Sequence, residues 1–300
     1  KLPIRLNRKV KQITTQVITG QKNPEYLPTD SSSLTIDIEK NIPQSETKNI
    51  DDLAIVIGIE EYKNVNNATF ADRDATWFKE YIAKQFGVKN NRILFLSNEN
   101  ATKAALDTAL GSKGWLAKRL KQGKSNVYVY YAGHGTTGID DKESYLVPYD
   151  GDPNYPTYTS IKVDDMYKQL SLLKTKSTTL FLDACFTGQD RDNQSLLADA
   201  RPVAIVPKQL QTRGLSVYTA TSANQISSAL QDKKHGIFSY WLMKGLQGNA
   251  DTDSDSFITH NELRAYLDEN VSSSAYDIDR EQNPTWSGVD GDAILTKVAY

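Results

Sequence analysis

Cysteine is almost absent from this 300-residue chain: Cys185 stands alone, with only three histidines beside it. One thiol cannot close an internal disulfide, and one thiol with histidines at unrelated spacings cannot assemble a paired-cysteine zinc site. Long apolar runs are missing too. No stretch reaches the roughly 18 residues of a membrane-spanning helix, so a soluble chain is expected. A charge excess is also lacking: 35 basic residues face 37 acidic ones, a net of −2, which makes nucleic acid and membrane surfaces poor partners. The chain begins at Lys1 without an initiator methionine or a signal-peptide core, and so reads as a fragment or processed form of undetermined compartment. No internal repeat is visible, and no organic cofactor is expected. The length suits one α/β domain of about 200–250 residues with appendages.

What is present begins after residue 50. Residues 1–50 are rich in Lys, Thr, Ser, Asn and Gln and hold four prolines, at 3, 24, 28 and 43, which reads as a linker or N-terminal arm with one edge strand at Leu34–Ile38. Leu53-Ala-Ile-Val-Ile-Gly-Ile59 is a near-continuous apolar strand of the kind buried on both faces of a parallel sheet. Helical spacing follows over Ala71–Phe86, a strand over Arg92–Leu96, a helix over Thr102–Lys121 loosened at Gly111 and Gly114, a strand from Ser125, a short segment Tyr145–Asp150, a helix over Val163–Leu173 and a strand from Thr178. The alternation predicts an α/β fold: a mostly parallel central sheet, right-handed crossovers and helices on both faces. Asp190–Gly214, with scattered Arg191, Arg201, Lys208 and Arg213, reads as a long exposed loop, before a strand at Leu215–Ala220 and a helix at Ile237–Leu246.

Two of these strands end on reactive side chains. Tyr130-Tyr-Ala-Gly-His134-Gly places an imidazole between glycines, and Leu180-Phe-Leu-Asp183-Ala-Cys185-Phe-Thr-Gly188 delivers the only thiol to a turn. Ligands of parallel sheets bind beyond the carboxyl ends of the strands, where both residues fall. A cysteine nucleophile needs a base, and a neighbouring imidazole supplies one. His235 and His260 end no buried strand, so His134 is the expected base. The amides of Gly135 and Cys185 are the expected oxyanion donors. His134 precedes Cys185 by 51 residues, close to the roughly 50-residue offset of caspases; the papain order is the reverse. A buried core cysteine is the plain alternative for Cys185.

The two boxes resemble those of the caspase-like cysteine peptidases, in the metacaspase and bacterial caspase-homologue branch, over about Leu53–Leu246. The resemblance implies the caspase-like fold, a Cys185–His134 dyad without a carboxylate third member, and a peptide or protein substrate. True caspases carry Gln-Ala-Cys and cut after aspartate; this chain has Asp183 there. In metacaspases the matching aspartate lines the first specificity pocket with another from the helix after the first strand, a position that Asp74 matches. Two confined carboxylates favour a cation, and arginine can meet them bidentately, so cleavage after Arg and then Lys is expected. Asp74 as an ordinary first-turn charge is the plain alternative. The loop at 190–214 lies where caspase-like enzymes join large and small portions, which makes Arg201, Lys208 and Arg213 candidates for self-processing. The same resemblance implies an activating calcium site near Asp150, Asp164, Asp165 and Asp192.

Between 248 and 300 one more motif appears. Asp251, Asp253 and Asp255 occupy positions 1, 3 and 5 of a loop, the Phe257 carbonyl position 7 and Glu262 position 12, the oxygen spacing of an EF-hand calcium loop. Position 6 is Ser256 instead of glycine, and a left-handed turn there costs about 1 kcal/mol. The chain is therefore expected to be a calcium-bound cysteine endopeptidase with arm 1–50, peptidase domain 51–247 and calcium loop with C-terminal segment 248–300. A calcium-binding caspase-fold scaffold with a vestigial dyad, or a thiol hydrolase acting on a non-peptide acyl group, are the other readings.

Overall fold

Leu53–Gly58 buries all six of its side chains, as a strand must when both of its faces are covered. It is the first strand of a computed structural model that describes residues 38–46, 48–138, 140–187, 191, 196, 214–222 and 225–298. In chain order the first half runs Leu53–Gly58 (β1), Ala71–Lys84 (α1), Ile93–Ser97 (β2), Lys103–Leu110 (α2), Trp115–Arg119 (α3) and Asn126–Ala132 (β3). Gly135–Thr137 (β4), Ser144–Leu146 (β5), Pro156–Thr159 (α4), Ile161–Lys162 (β6), Val163–Ser171 (α5) and Ser177–Asp183 (β7) follow. Leu215–Thr219 (β8), Ala229–Leu230 (β9), His235–Gly236 (β10), Ile237–Lys244 (α6), Phe257–Thr259 (β11), His260–Tyr276 (α7), Thr285–Ser287 (β12) and Ile294–Lys297 (β13) complete it. The central sheet has the order β12-β8-β7-β3-β1-β2, parallel throughout except at its β12 edge.

Successive side chains of a strand point to opposite faces, and each face has its own helix layer. Val56, Tyr130, Phe181 and Tyr218 pack with Phe78 of α1, Leu242 of α6 and Leu263 of α7. Ile55, Val129, Leu180 and Val217 pack with Leu106 of α2, Leu116 of α3 and Leu170 of α5. The expected helix over 102–121 is two helices, because the backbone turns extended at Gly111 and Gly114, where a side chain would meet the carbonyls of Asp107 or Thr108 at 2.6 or 2.1 Å. Thr102 caps the first by accepting from the Ala105 amide.

The expected domain limits shift at both ends. Ile38 and Ile42 are buried in the core, and the Tyr81 hydroxyl donates to the Ile38 carbonyl at 2.7 Å, so the packed unit takes in residues before 50. Of the expected strand at Leu34–Ile38 only Ile38 lies within the described residues, and it is in a turn. At the other end, β12 pairs antiparallel with β8 and joins the central sheet, so the domain does not end at 247. Leu263, Leu267, Val271 and Ala275 recur every four residues along α7 and bury one stripe of it in the core they share with α6. Among the described residues no helix is long and apolar enough to cross a membrane.

Candidate active site

The two reactive side chains leave adjacent strands at the same height. β3 and β7 pair in parallel up to Ala132↔Asp183, and the Gly133 amide donates to the Asp183 carbonyl at 3.2 Å. His134 and Cys185 each follow two residues beyond that last pair. The glycines around His134 permit the approach. At Gly133 (φ 155°) a Cβ would sit 2.5 Å from the Tyr62 hydroxyl, and at Gly135 it would sit 2.5 Å from the Cys185 carbonyl oxygen. Gly135 and Cys185 are thus backbone neighbours.

His134 is held on three sides. Its amide donates to the Tyr62 hydroxyl at 2.7 Å, the Tyr131 hydroxyl donates to its carbonyl at 2.7 Å, and the Tyr62 ring lies 4.6 Å from the imidazole. Its Nε2 is 2.8 Å from the Asn66 carbonyl oxygen. A carbonyl only accepts, so Nε2 carries the hydrogen and Nδ1 is the basic nitrogen. Burial pushes the imidazole pKa down to about 4, against the opposing hydrogen bond to Asn66 and with help from the charge of Arg191. The Cys185 thiol donates toward the Gln225 carbonyl at 3.2 Å and lies 2.8 Å from the Thr187 hydroxyl. Cys185 is 5 % and His134 3 % exposed, so both side chains are closed over.

His260, the first residue of α7, is also buried, between Tyr218 and Trp286, and burial lowers it to about 4. For both histidines the folded pKa lies below the unfolded value near 6.5, so the unfolded chain binds more protons between those limits. Stability is therefore complete above about pH 6.5 and falls as pH drops toward 4, by on the order of 3 kcal/mol for each histidine. Denaturant unfolding at pH 7 and 4.5 is expected to show this loss, and His260→Gln to remove about half of it. A stability independent of pH over this range would contradict the burial of both imidazoles.

Close to the strand tips lie two carboxylates with no solvent exposure, Asp74 of α1 and Asp183 at the end of β7. Between them lies the Arg191 guanidinium, itself buried: Nη1 is 3.1 Å from Asp74 Oδ2 and 2.6 Å from the Thr69 carbonyl oxygen. Nη2 approaches Asp183 Oδ2 at 3.1 Å as an ion pair, off the hydrogen-bond direction. The expected exposed position of Arg191 in a loop is thus overturned by two buried charges that need a cation. The carboxylates are fixed from behind. Ser227 and Ser239 hydroxyls donate to Asp183 at 2.5 Å each. Asp74 accepts from the Gly236 amide at 3.0 Å, with His235 Nδ1 2.7 Å from its Oδ1 and His235 Nε2 2.9 Å from Glu39. Burial raises the Asp74 pKa, and the His235 bond and the Arg191 charge oppose it; burial works against the Arg191 cation, and Asp183 and Asp74 more than restore it. A Cβ on Gly236 would stand 2.7 Å from Asp183 Oδ2 and 3.0 Å from both guanidinium nitrogens, so glycine leaves the slot its width.

The acidic loop forms separately. Among the described residues, Asp251, Asp253 and Asp255 offer carboxylate oxygens within 4.8 Å of one another. The loop sits between α6 with its extra turn 245–249 and α7, and Ser256 takes the expected left-handed conformation, φ 70°. Glu262 is outside the cluster: one oxygen accepts from Thr259 in a capping box, the other from Thr252. Among the described residues, Asp150, Asp164 and Asp165 of the second expected cation site form no cluster. Asp150 instead accepts from the Lys103 amide at the start of α2, and Asp164 and Asp165 occupy the first turn of α5. Asp192 and the expected processing positions Arg201, Lys208 and Arg213 lie outside the described residues.

The caspase-domain family model of C14 peptidases matches residues 51–292. The chain belongs to the caspase-domain family. Two solved structures share the fold of this caspase domain. Protein GSU0716 from Geobacter sulfurreducens is 15 % identical with a TM-score of 0.56, over 83 % of this chain and 97 % of that one. Caspase-1 from Spodoptera frugiperda is 16 % identical with a TM-score of 0.54, over 84 % and 92 %. No curated protein sequence matches the chain. Peptidase chemistry of the cysteine type is what this family performs. Spacing alone gave no sign of several residues that surround the strand tips in this caspase domain: Arg191 and His235 sit in segments without periodicity, Tyr62, Asn66, Gln225 and Ser227 belong to connections, and Ser239 is a lone polar residue on the buried side of α6.

Proposed function

We propose that this caspase domain is a cysteine endopeptidase that cuts polypeptides after arginine, and more slowly after lysine. The observation that carries the reading is the pair of fully buried carboxylates, Asp74 and Asp183, spread around a single guanidinium beside the Cys185–His134 tips. Two separate nitrogens meet the two carboxylates, which a planar fork can do and a single ammonium cannot, hence Arg before Lys.

In this reading Cys185 Sγ attacks the scissile carbonyl carbon while its proton passes to His134 Nδ1. The Gly135 and Cys185 amides receive the oxyanion. Collapse expels the amine, which takes the proton from Nδ1 and leaves a thioester on Cys185. Water then gives its proton to Nδ1 and its oxygen to the acyl carbon, and the thiol regains that proton. The Nε2–H bond to the Asn66 carbonyl keeps the tautomer and fills the orienting role of a third carboxylate.

Calcium fits the loop of Asp251, Asp253 and Asp255 by donor chemistry, hard carboxylate oxygens converging within 4.8 Å, with the Phe257 carbonyl and Glu262 completing the set once Glu262 turns from Thr252. It would hold α6 and α7 at a fixed angle, and no chemical step passes through it. Fluorogenic peptides differing only in Arg, Lys or Asp at the cleaved position, assayed with calcium or with chelator, test both parts. Arg turnover exceeding Lys by about tenfold and Asp by at least a hundredfold is expected. Preferred turnover of Asp peptides would overturn the pocket reading, and no turnover with no acylation of Cys185 would favour the scaffold.

A further inference from the structure

Two neighbouring buried carboxylates are costly without a cation between them, even with the hydroxyls of Ser227 and Ser239 on Asp183 and the Gly236 amide and His235 on Asp74. In this chain the guanidinium that satisfies them comes from Arg191, only six positions after Cys185, and not from the surrounding elements, which are α1, β7 and β10. The dyad is closed in the same state: Cys185 directs its thiol to the Gln225 carbonyl, and both reactive side chains are 5 % exposed or less. An arginine substrate meets an occupied pocket.

We propose that Arg191 is an internal latch: the chain holds its own arginine in the primary specificity pocket, and a substrate arginine enters by exchanging with it. The proposal deepens the basic-pocket reading and rests on it. Exchange of one guanidinium for another keeps the charge balance of Asp74 and Asp183, so the swap is feasible where simple withdrawal is not. The five-residue span from Cys185 gives Arg191 an effective concentration in the millimolar range, enough to outcompete small amidines but not a peptide that also fills neighbouring subsites. Withdrawal of Arg191 also removes a positive charge that depresses the His134 base.

Benzamidine, an amidinium that fits such a pocket, is the probe. It is titrated calorimetrically into Cys185→Ala and into Cys185→Ala/Arg191→Gln, and Arg-peptide kinetics are measured for Arg191→Gln with Cys185 intact. If the latch is closed about nine-tenths of the time, benzamidine binds the double variant about tenfold more tightly, and Arg191→Gln lowers KM for the Arg peptide about tenfold with kcat nearly unchanged. Equal benzamidine affinity and equal KM with and without Arg191 overturn the latch and leave the basic pocket standing. No benzamidine binding by either protein, together with turnover of Asp peptides that Arg191→Gln abolishes, overturns both: Arg191 is then the pocket's permanent anion receptor. Should Arg191→Gln fail to fold, Arg191→Lys keeps the charge but cannot span both carboxylates, and the same two readings, smaller shifts or none, decide.

Discussion

Replacing Cys185 with alanine is expected to abolish Arg-peptide turnover, and replacing His134 with glutamine to lower kcat by about a thousandfold, within the 10²–10⁴ range of general acid–base catalysis. The two losses should not add, because the thiol and the imidazole act as one unit. Both variants should remain folded. Cys185→Ala deletes one small side chain, and a glutamine side chain at 134 still offers a donor toward the Asn66 carbonyl, avoiding the roughly 1–3 kcal/mol cost of a buried orphan. The pH profile adds a check that a structural role would not meet. His134 must be neutral to accept the thiol proton, and burial holds it neutral down to about pH 4. The acid limb of kcat/KM, which reports the free enzyme, is therefore expected well below the ordinary 6.5 of histidine. An acid limb at 6.5 or above would contradict the buried, Asn66-bound imidazole, and unchanged turnover in His134→Gln would remove it from the chemistry.

Asp183→Asn is expected to cost an Arg peptide about 10²–10³ in kcat/KM, the effect of removing one partner from a buried ion pair, on the order of 3–4 kcal/mol. A matched peptide with an uncharged residue at the cleaved position should lose little. Asp183 is the cleaner of the two pocket substitutions. Its amide replacement still accepts from Ser227 or Ser239, whereas Asp74 also anchors the Gly236 amide and His235, so its loss disturbs the pocket wall. Measurement of kcat/KM for both peptides separates charge recognition from general damage; equal losses on the two would remove Asp183 from specificity.

Much of this molecule follows from local rules. The apolar strand at Leu53–Gly58, the alternation of strands and helices, and the glycine-flanked His134 and Cys185 at strand ends follow from periodicity and from where glycine lets backbones meet. The left-handed Ser256 follows from the geometry of a twelve-residue loop. Domain limits were less legible, because Ile42 and Trp286 are single apolar residues in polar segments and Ile38 ends a short alternating run that reads as an arm. Such residues show their burial only when a sheet edge or a helix face is there to receive them.

The sequence by itself determined the fold class and the placement of His134, Cys185, Asp183 and Asp74 at or just past the end of a strand or in the first turn of a helix, since each of these patterns is local. The tertiary structure decided what fills the space between those aspartates. Arg191 lies in a segment without periodicity and reads as one solvated charge among several. Its burial between Asp74 and Asp183, and the support of His235, Ser227 and Ser239 behind them, depend on contacts between residues 8 to 161 positions apart, all but one of them 44 or more. Electrostatic pairing in a buried site is set by distance in space, which no local pattern encodes.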